Sequence, residues 1–401
     1  MEIRKKHILF ITHLYYPALG GAERVFKRIA EGLIQKGHEV TVLTSDALST
    51  EQYYFGVPDP PPEQEVVNGI RIIRQPVSTR IYRFLKYLNA LNKVRGFSSL
   101  LGSLVFGPHF FKKFWLVLKK KYDVVIVGPT PTSTLFYGLF YKIFHPESVL
   151  VVFPHMHFQD RMHTAVINIR VMKKADFVLA LTDAEMKYLQ SRKIDRARIR
   201  RIVNGVDDFL LKRDIQTDEH FHDYVLFLGQ EGEHKNIPLL IQAMQNIWDL
   251  GFANDLVIAG ARANYSSTID KIIDEMPERH LIRLRRINDF SEEQKIRLLD
   301  NSLVLVNPSS FEAFGIVFLE AWARKKPVIG AKIIALREII RDGANGFLFD
   351  PQIKGDLETK IIQLIKDSDT AKKLGASGFA DVQDRYIWSK VIDRLEKIIQ
   401  T

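Results

Sequence analysis

The chain has 401 residues, no cysteine, 46% hydrophobic and 26% charged residues, and a formal net charge of +10 at pH 7. That composition excludes disulfide staples, thiolate nucleophiles and cysteine-ligated metals, and it is globular rather than disordered, fibrous or multi-spanning. The length predicts two domains of similar size, and the charge favours anionic partners without choosing among nucleic acid, phosphorylated small molecules and acidic lipid headgroups.

In chain order, the first apolar run, Ile8 to Thr12, is short and leads into a Gly-rich loop. It reads as a buried strand rather than a signal peptide, which sets a cytoplasmic location as the expectation. Further apolar, β-branched runs follow at Glu39 to Thr44, Arg71 to Arg74, Val124 to Gly128, Val149 to Phe153 and Phe177 to Leu181, alternating with helical patterns. Such alternation predicts an α/β fold with a parallel sheet covered by helices. The stretch from Ala47 to Asn68, with Pro58, Pro60, Pro61 and Pro62, has no period and is expected to be a long loop. Residues 80–121 interleave basic and aromatic side chains, among them Arg80, Arg83, Lys86, Phe111, Lys112, Trp115 and Lys119. This is the pattern of an interfacial segment on an anionic membrane, and equally of a core-packing helix with a solvated basic face. The uncharged run from Phe97 to Phe111 is too short and too interrupted to span a bilayer.

A second series of strand–helix units begins at Tyr224 to Gly229 and continues at Asp255 to Gly260, Leu303 to Val306 and Pro327 to Gly330. The turn-rich Asn204-Gly-Val-Asp207 and the polar stretch after it mark the boundary. The expected domains are residues 1–207, 208–384 and a C-terminal helix, 385–401, returning to the first. Ligands of open α/β sheets sit beyond the carboxyl ends of the strands, so two such lobes would face each other across a cleft.

Three motifs fall at those ends. Gly20-Gly21 follows the first strand, where paired glycines suit either close approach to a phosphate or sugar or a plain tight turn. The loop from Gly229 to Lys235 delivers a lysine that can neutralise a diphosphate or lie on the surface. The most specific is the segment from Asn307 to Trp322, which places Glu312 ahead of a helix, Phe314-Gly315-Ile316 where its N-terminal amides would meet an anion, and Glu320 two turns on, near the same face. Sugar hydroxyls are natural partners for two such carboxylates, as are basic residues such as Lys235 or Arg262.

Glu312 and Glu320 form an E-x7-E pattern. Together with Gly20-Gly-Ala-Glu-Arg24, Asn204-Gly-Val-Asp207, the Gly229 to Lys235 loop, Lys326-Pro-Val-Ile-Gly330, Gly343-Ala-Asn-Gly-Phe-Leu348 and Trp388, it resembles the retaining glycosyltransferases of family 4, group 1, over nearly the whole chain. The resemblance implies a GT-B fold of two Rossmann-like domains and metal-independent transfer of a mannose- or glucose-type hexosyl group. The group would pass from a nucleotide diphosphate sugar to a glycan or lipid-linked acceptor, with no cofactor and no nucleic-acid partner. It assigns catalysis to His155, Lys235 and Glu312, and donor binding to Gly20, Gly21, Gly229, Arg262, Phe314, Gly315, Ile316 and Glu320. His157 is the alternative to His155. A metal reading of that histidine pair would need the more distant Asp160 and His163. Gln230 departs from the family, which commonly has arginine there, and Arg262 is the expected compensation. Competing readings are a GT-B-type epimerase or phosphorylase and a non-catalytic nucleotide-sugar or nucleic-acid binding module. The expected place is the cytoplasm, with peripheral contact at the inner face of the cell membrane.

Overall fold

The computed structural model describes residues 4–18, 20–91, 102, 104–105, 107–156, 162–212 and 222–400. The chain divides into two compact units, Met1–Asn204 with Trp388–Thr401, and Gly205–Ile387.

In the first unit eight strands form one sheet. They are β1 (His7–Thr12), β2 (Glu39–Ser45), β3 (Gln64–Val67), β4 (Ile70–Gln75), β5 (Val124–Gly128), β6 (Val149–Val152), β7 (Phe177–Ala180) and β8 (Ile199–Arg201), in the order β3-β4-β2-β1-β5-β6-β7-β8. Every pairing is parallel except β3 with β4. Strands β1 and β5 are buried on both faces, which is why they read as unbroken apolar runs. Helix α1 (Gly21–Gln35) buries the stripe Val25, Phe26, Ile29, Ala30 and Leu33, spaced as one helical face requires. The other helices used below are the single turn α2 (Gln52–Phe55), α3 (Thr79–Leu91), α4 (Phe111–Leu118) and α5 (Thr134–Phe144).

The C-terminal helix, Trp388–Ile399, belongs to this unit although it follows the other in sequence. It packs on α1 so closely that a Cβ at Gly32 would lie 2.4 Å from Ile392. Around this apolar seam, His38 Nε2 lies 2.6 Å from Glu396 in a buried pair, and Lys6 Nζ donates to the Ile399 carbonyl at 2.6 Å.

The stretch from Ala47 to Asn68 is not a long loop. It contains α2 and the strand β3, which returns antiparallel to β4 through the two-residue turn Asn68-Gly69, both at positive φ. Asn-Gly between short strands is the sequence mark of such a hairpin, obscured here by the prolines before it. Arg74 is buried beneath this excursion, donating to the Pro62 and Tyr16 carbonyls and pairing with Glu65 at 2.6 Å. Residues 97–101, 103 and 106 of the uncharged run from Phe97 to Phe111 lie outside the described residues. No helix among those described is long and apolar enough to cross a membrane.

The second unit holds six strands, all parallel: β9 (Tyr224–Leu228), β10 (Leu256–Ala259), β11 (Leu284–Ile287), β12 (Ser302–Asn307), β13 (Val328–Ala331) and β14 (Phe347–Phe349). Their order, β11-β10-β9-β12-β13-β14, is that of a Rossmann fold. Four further helices matter here: α6 (Ile237–Asp249), α7 (Glu292–Asn301), α8 (Ile316–Ala323) and α9 (Ser368–Asp381). Trp322, fully buried on α8, donates from Nε1 to the Asn345 carbonyl at 2.7 Å, and Gly378 on α9 leaves room for its ring.

Candidate functional site

Strand order in the second unit reverses between β9 and β12, and the loops leaving their carboxyl ends meet there. The Ser310 N–H donates to the His234 carbonyl at 2.9 Å, joining the loop after β12 to the single 3-10 turn Glu233–Lys235 after β9. Across this junction Lys235 Nζ donates to Glu312, with only 15% and 12% of the two side chains exposed. Ser309 Oγ reaches the same Glu312 oxygen at 3.0 Å, and its N–H donates to Oδ1 of fully buried Asn307 at 3.2 Å. His234 sits below the ordinary histidine range because it is desolvated and stands beside the Lys235 charge. Gly229 lies against the loop after β10, where any Cβ on Gly260 would fall 1.7 Å from the Gly229 carbonyl oxygen.

Gly315 precedes α8 in the left-handed conformation, φ 90°, and a Cβ there would come within 2.7 Å of the Phe318 ring. Only glycine meets both conditions. The Phe314 ring is buried edge-on to Tyr386, so Phe314 presents its backbone rather than its side chain to any ligand.

Glu312 and Glu320 do not share a helix face. Helix α8 begins only at Ile316, so the eight-residue spacing is not two helical turns, and Glu312 belongs to the loop. Each carboxylate has its own lysine. Glu320, 3% exposed on α8, accepts from Lys295 Nζ of α7 at 2.9 Å, and Lys295 is also 2.7 Å from Glu292.

In the first unit the reversal lies between β1 and β5. Gly20 is in extended conformation ahead of α1, and its missing side chain leaves room for Glu23, whose Oε2 would lie 2.1 Å from a Cβ. Burial holds the Glu23 carboxyl above its usual range. Its neighbour at 3.4 Å is His13, pushed by burial down to about 4. Around Gly21 a Cβ would meet nothing within 4 Å. After β6, His155 is buried at φ 44°, its ring centroid 4.1 Å from that of Phe153 and 5.7 Å from that of Phe26. A non-glycine residue in this conformation stores strain, a recurrent property of functional loops. Thr130, after β5, donates N–H and Oγ1 to the Pro154 carbonyl at 2.8 and 3.0 Å, fastening the two loops together. His157 and Asp160 lie outside the described residues.

Two family descriptions match the chain in tandem: "Glycosyl transferase 4-like domain" over residues 20–205 and "Glycosyl transferases group 1" over residues 212–380. The chain belongs to the GT4-type glycosyltransferases. An uncharacterized glycosyltransferase of Methanocaldococcus jannaschii is 22% identical over 96% of this chain and 95% of its own length. A second from that organism is 28% identical over 53% of this chain, which spans 57% of that protein. Solved structures share the GT-B fold: sucrose-phosphate synthase from Thermosynechococcus elongatus superposes with TM-score 0.73 at 20% identity, covering 99% of this chain and 98% of its own. Anabaena HepE in complex with UDP-glucose follows with TM-score 0.71 at 17% identity, over 98% and 99%.

Within this glycosyltransferase the sequence did not point to Ser309, Lys295 or Arg286. Arg286, at the end of β11, holds fully buried Glu231 with both ends of its guanidinium, Nε to Oε1 at 2.5 Å, and also pairs with Asp270. Burial pushes the Glu231 carboxyl up, but the hydrogen bonds from Arg286 and Ser266 outweigh it and hold it below the usual range. Arg262, half exposed, pairs with the same Asp270 and so ends a ladder of charges rather than joining the Lys235–Glu312 cluster. Glu231, set beside Gly229, was the available signal, since a buried carboxylate requires a cation. Its partner lies 55 residues away, beyond any local pattern.

Proposed function

We propose that this chain transfers a hexosyl group, mannose or glucose in type, from a nucleotide diphosphate sugar to a hydroxyl of a glycan or lipid-linked acceptor. Transfer would proceed with retention at the anomeric carbon and without a metal ion. The observation that carries this reading is the Lys235–Glu312–Ser309 cluster at the strand reversal of the second unit, directly ahead of the α8 amides. When the bond from the anomeric carbon to the diphosphate breaks, negative charge grows on the leaving oxygens. A desolvated lysine brought onto the diphosphate when the donor binds stabilises it without further reorganisation as the bond breaks. On donor binding Lys235 would turn from Glu312 to the diphosphate, freeing Glu312 to accept from sugar hydroxyls.

The backbone amides of Phe314, Gly315 and Ile316 would hold phosphate, and Gly229 would let the diphosphate approach the loop. Glu320, held by Lys295, would accept from the ribose. The new bond forms on the face the diphosphate leaves, and the acceptor proton passes to the departing phosphate oxygen. His155 is assigned to the donor sugar near the reacting carbon. Glu23 beside Gly20-Gly21 makes the head of α1 a poor phosphate site and favours a hydroxyl-bearing ligand there. The first unit is assigned the acceptor, and a lipid-linked acceptor would bring the basic, aromatic segment 80–121 to an anionic membrane on the cytoplasmic side.

Relatives at 26% and 34% identity over parts of the chain are named phosphatidyl-myo-inositol mannosyltransferase and alpha-1,3/1,6-mannosyltransferase, from Mycobacterium leprae and Dictyostelium discoideum. With the UDP-glucose complex of HepE, they set the first donors to try. The test is release of nucleoside diphosphate from UDP-, GDP- and ADP-sugars, with and without EDTA, for the native protein and Glu312→Gln. Turnover of one donor that survives EDTA and collapses in the variant supports the reading. Donor binding by calorimetry with no turnover under any condition would replace the enzyme with a binding protein.

A further inference from the structure

Six large apolar side chains stand exposed on two adjacent helices of the first unit: Phe111, Trp115 and Leu116 on α4, and Phe140, Ile143 and Phe144 on α5. The helices are fastened at their carboxyl ends. His145 Nε2 donates to the Leu118 carbonyl at 2.8 Å, and Tyr141 OH to the Lys120 carbonyl at 2.7 Å. The ring of buried Phe114 contacts Phe140 at 5.9 Å, and Phe140 contacts Phe144 at 4.9 Å, so α4 and α5 lie side by side with their exposed groups flanking one seam. Isolated exposed apolar residues are ordinary, but a contiguous set with three aromatic rings and a tryptophan marks an interaction face.

Charge identifies the partner. Lys112, Lys119 and Lys120 rise among these side chains, and no ion pair joins them to an acid among the described residues. The nearby acids are engaged, Glu147 with Lys121 at 3.4 Å and Asp176 with Lys142 at 2.8 Å. A second copy docked on this face would set lysines against lysines. An anionic bilayer accepts both parts at once, with rings in the headgroup layer and ammonium groups on phosphate. We propose that α4 and α5 form the face by which this protein lies on an anionic lipid surface. The centre of the contact is thereby α4 with α5, which lies outside the basic segment 80–121. Phe111 also lines a cavity of about 40 Å3 beside Ser45 and Gln75, at the carboxyl ends of β2 and β4, which sets the lipid surface next to the end of the sheet where ligands bind.

This inference deepens the acceptor reading and rests on it only for the acceptor's class. The full chain is titrated with vesicles of phosphatidylcholine containing about one third phosphatidylglycerol. Native protein is expected to sediment with them, salt-sensitively, and its fluorescence to shift to the blue. Trp115→Phe should retain binding and lose most of that shift, because the other three tryptophans are partly or wholly buried. Ile143→Asp with Phe144→Asp should weaken partition by about ten-fold or more, and Lys119→Glu with Lys120→Glu should remove the preference for anionic lipid. Phe84→Asp with Tyr87→Asp, on exposed positions of α3 in the segment 80–121, is the comparison and should cost much less partition than the α5 variant. The proposal falls if native protein ignores anionic vesicles, or if only the α3 variant loses them. It also falls if light scattering shows a dimer that Ile143→Asp dissolves while vesicles go unbound. Donor hydrolysis should be unchanged in all these variants. Vesicle binding without any donor hydrolysis in native protein would sink the transferase reading and leave the surface standing.

Discussion

The two units share a strand order around the reversal point and line it with opposite chemistry. In the second, the loops after β9 and β12 carry Lys235 and Glu312, a lysine and a carboxylate that satisfy each other. In the first, the loop after β1, the first turn of α1 and the loop after β6 carry His13, Glu23 and His155, buried groups pushed towards their neutral forms or wedged between aromatic rings. On the proposed reading the second unit's site meets charge that appears during a reaction, and the first unit's suits neutral, hydroxyl-rich matter, because fixed charges there would be costly to desolvate. The same scaffold carries both because the loops beyond the strands decide the chemistry and the strands do not.

That contrast breaks first at Lys235. Lys235→Ala should lower the single-turnover rate of donor cleavage by about 10²–10³, roughly 3–4 kcal/mol of lost charge stabilisation. Lys235→Arg should recover part of it, being cationic but differently shaped. Donor affinity in the ground state should change far less. Equal losses in affinity and rate would mean that the lysine only binds.

The next largest effect concerns what makes the first unit whole. Leu395 is fully buried on the C-terminal helix, which packs on α1 through Ile392. Leu395→Ala should destabilise by roughly 2–5 kcal/mol, and chemical denaturation followed by circular dichroism should show an early phase worth the first unit alone. A single transition shifted as a whole would mean that the units unfold together.

The sequence made the parallel cores plain, since strands buried on both faces leave long apolar runs and α1 leaves a clean helical stripe. It did not reveal β3, β8, β11 and β14, which have three or four residues and sit towards sheet edges, where charges such as Arg200 and Arg285 break the pattern. At the site, Glu312 and Lys235 were legible from loop position and resemblance. Their pairing, and the Lys295–Glu320 and Arg286–Glu231 pairs, arise from tertiary contacts between residues 25 to 77 positions apart. Treating Glu312 and Glu320 as one helical face failed because Gly315 caps a helix that begins only at Ile316, four residues after Glu312.

Acid should separate the units. His13 has its folded pKa depressed from 6.5 to about 4, so its contribution is fully present above pH 6.5 and is lost as pH falls towards 4. The slope should be about 1.4 kcal/mol per pH unit within that window. Glu23, raised, acts with the opposite sign: its contribution is complete below its ordinary value of 4.5 and is lost as pH rises through the folded value. From pH 7 to 6 to 5, native protein should lose more stability than His13→Gln, the difference between the two carrying the His13 slope free of the opposing Glu23 effect. The same slope in both would place the sensitive group elsewhere, His109 being the next buried histidine with a depressed value.

Smallest in size, but sharpest for the comparison, is Gly21→Ala. Nothing lies within 4 Å of the added Cβ, and the position opens a helix, so the change should stabilise the first unit by roughly 0.5 kcal/mol through the unfolded state. If a sugar or acceptor hydroxyl comes against that backbone, the same methyl group should raise the KM of the ligand held there several-fold while kcat stays near native. Gly315→Ala in the second unit should do the reverse, losing stability through its left-handed backbone and contact with Phe318. Steady-state kinetics beside denaturation midpoints tell the two glycines apart. If Gly21→Ala is neutral in both donor and acceptor KM, the first glycine pair is only a turn that admits Glu23, and the first unit must bind its ligand through other residues.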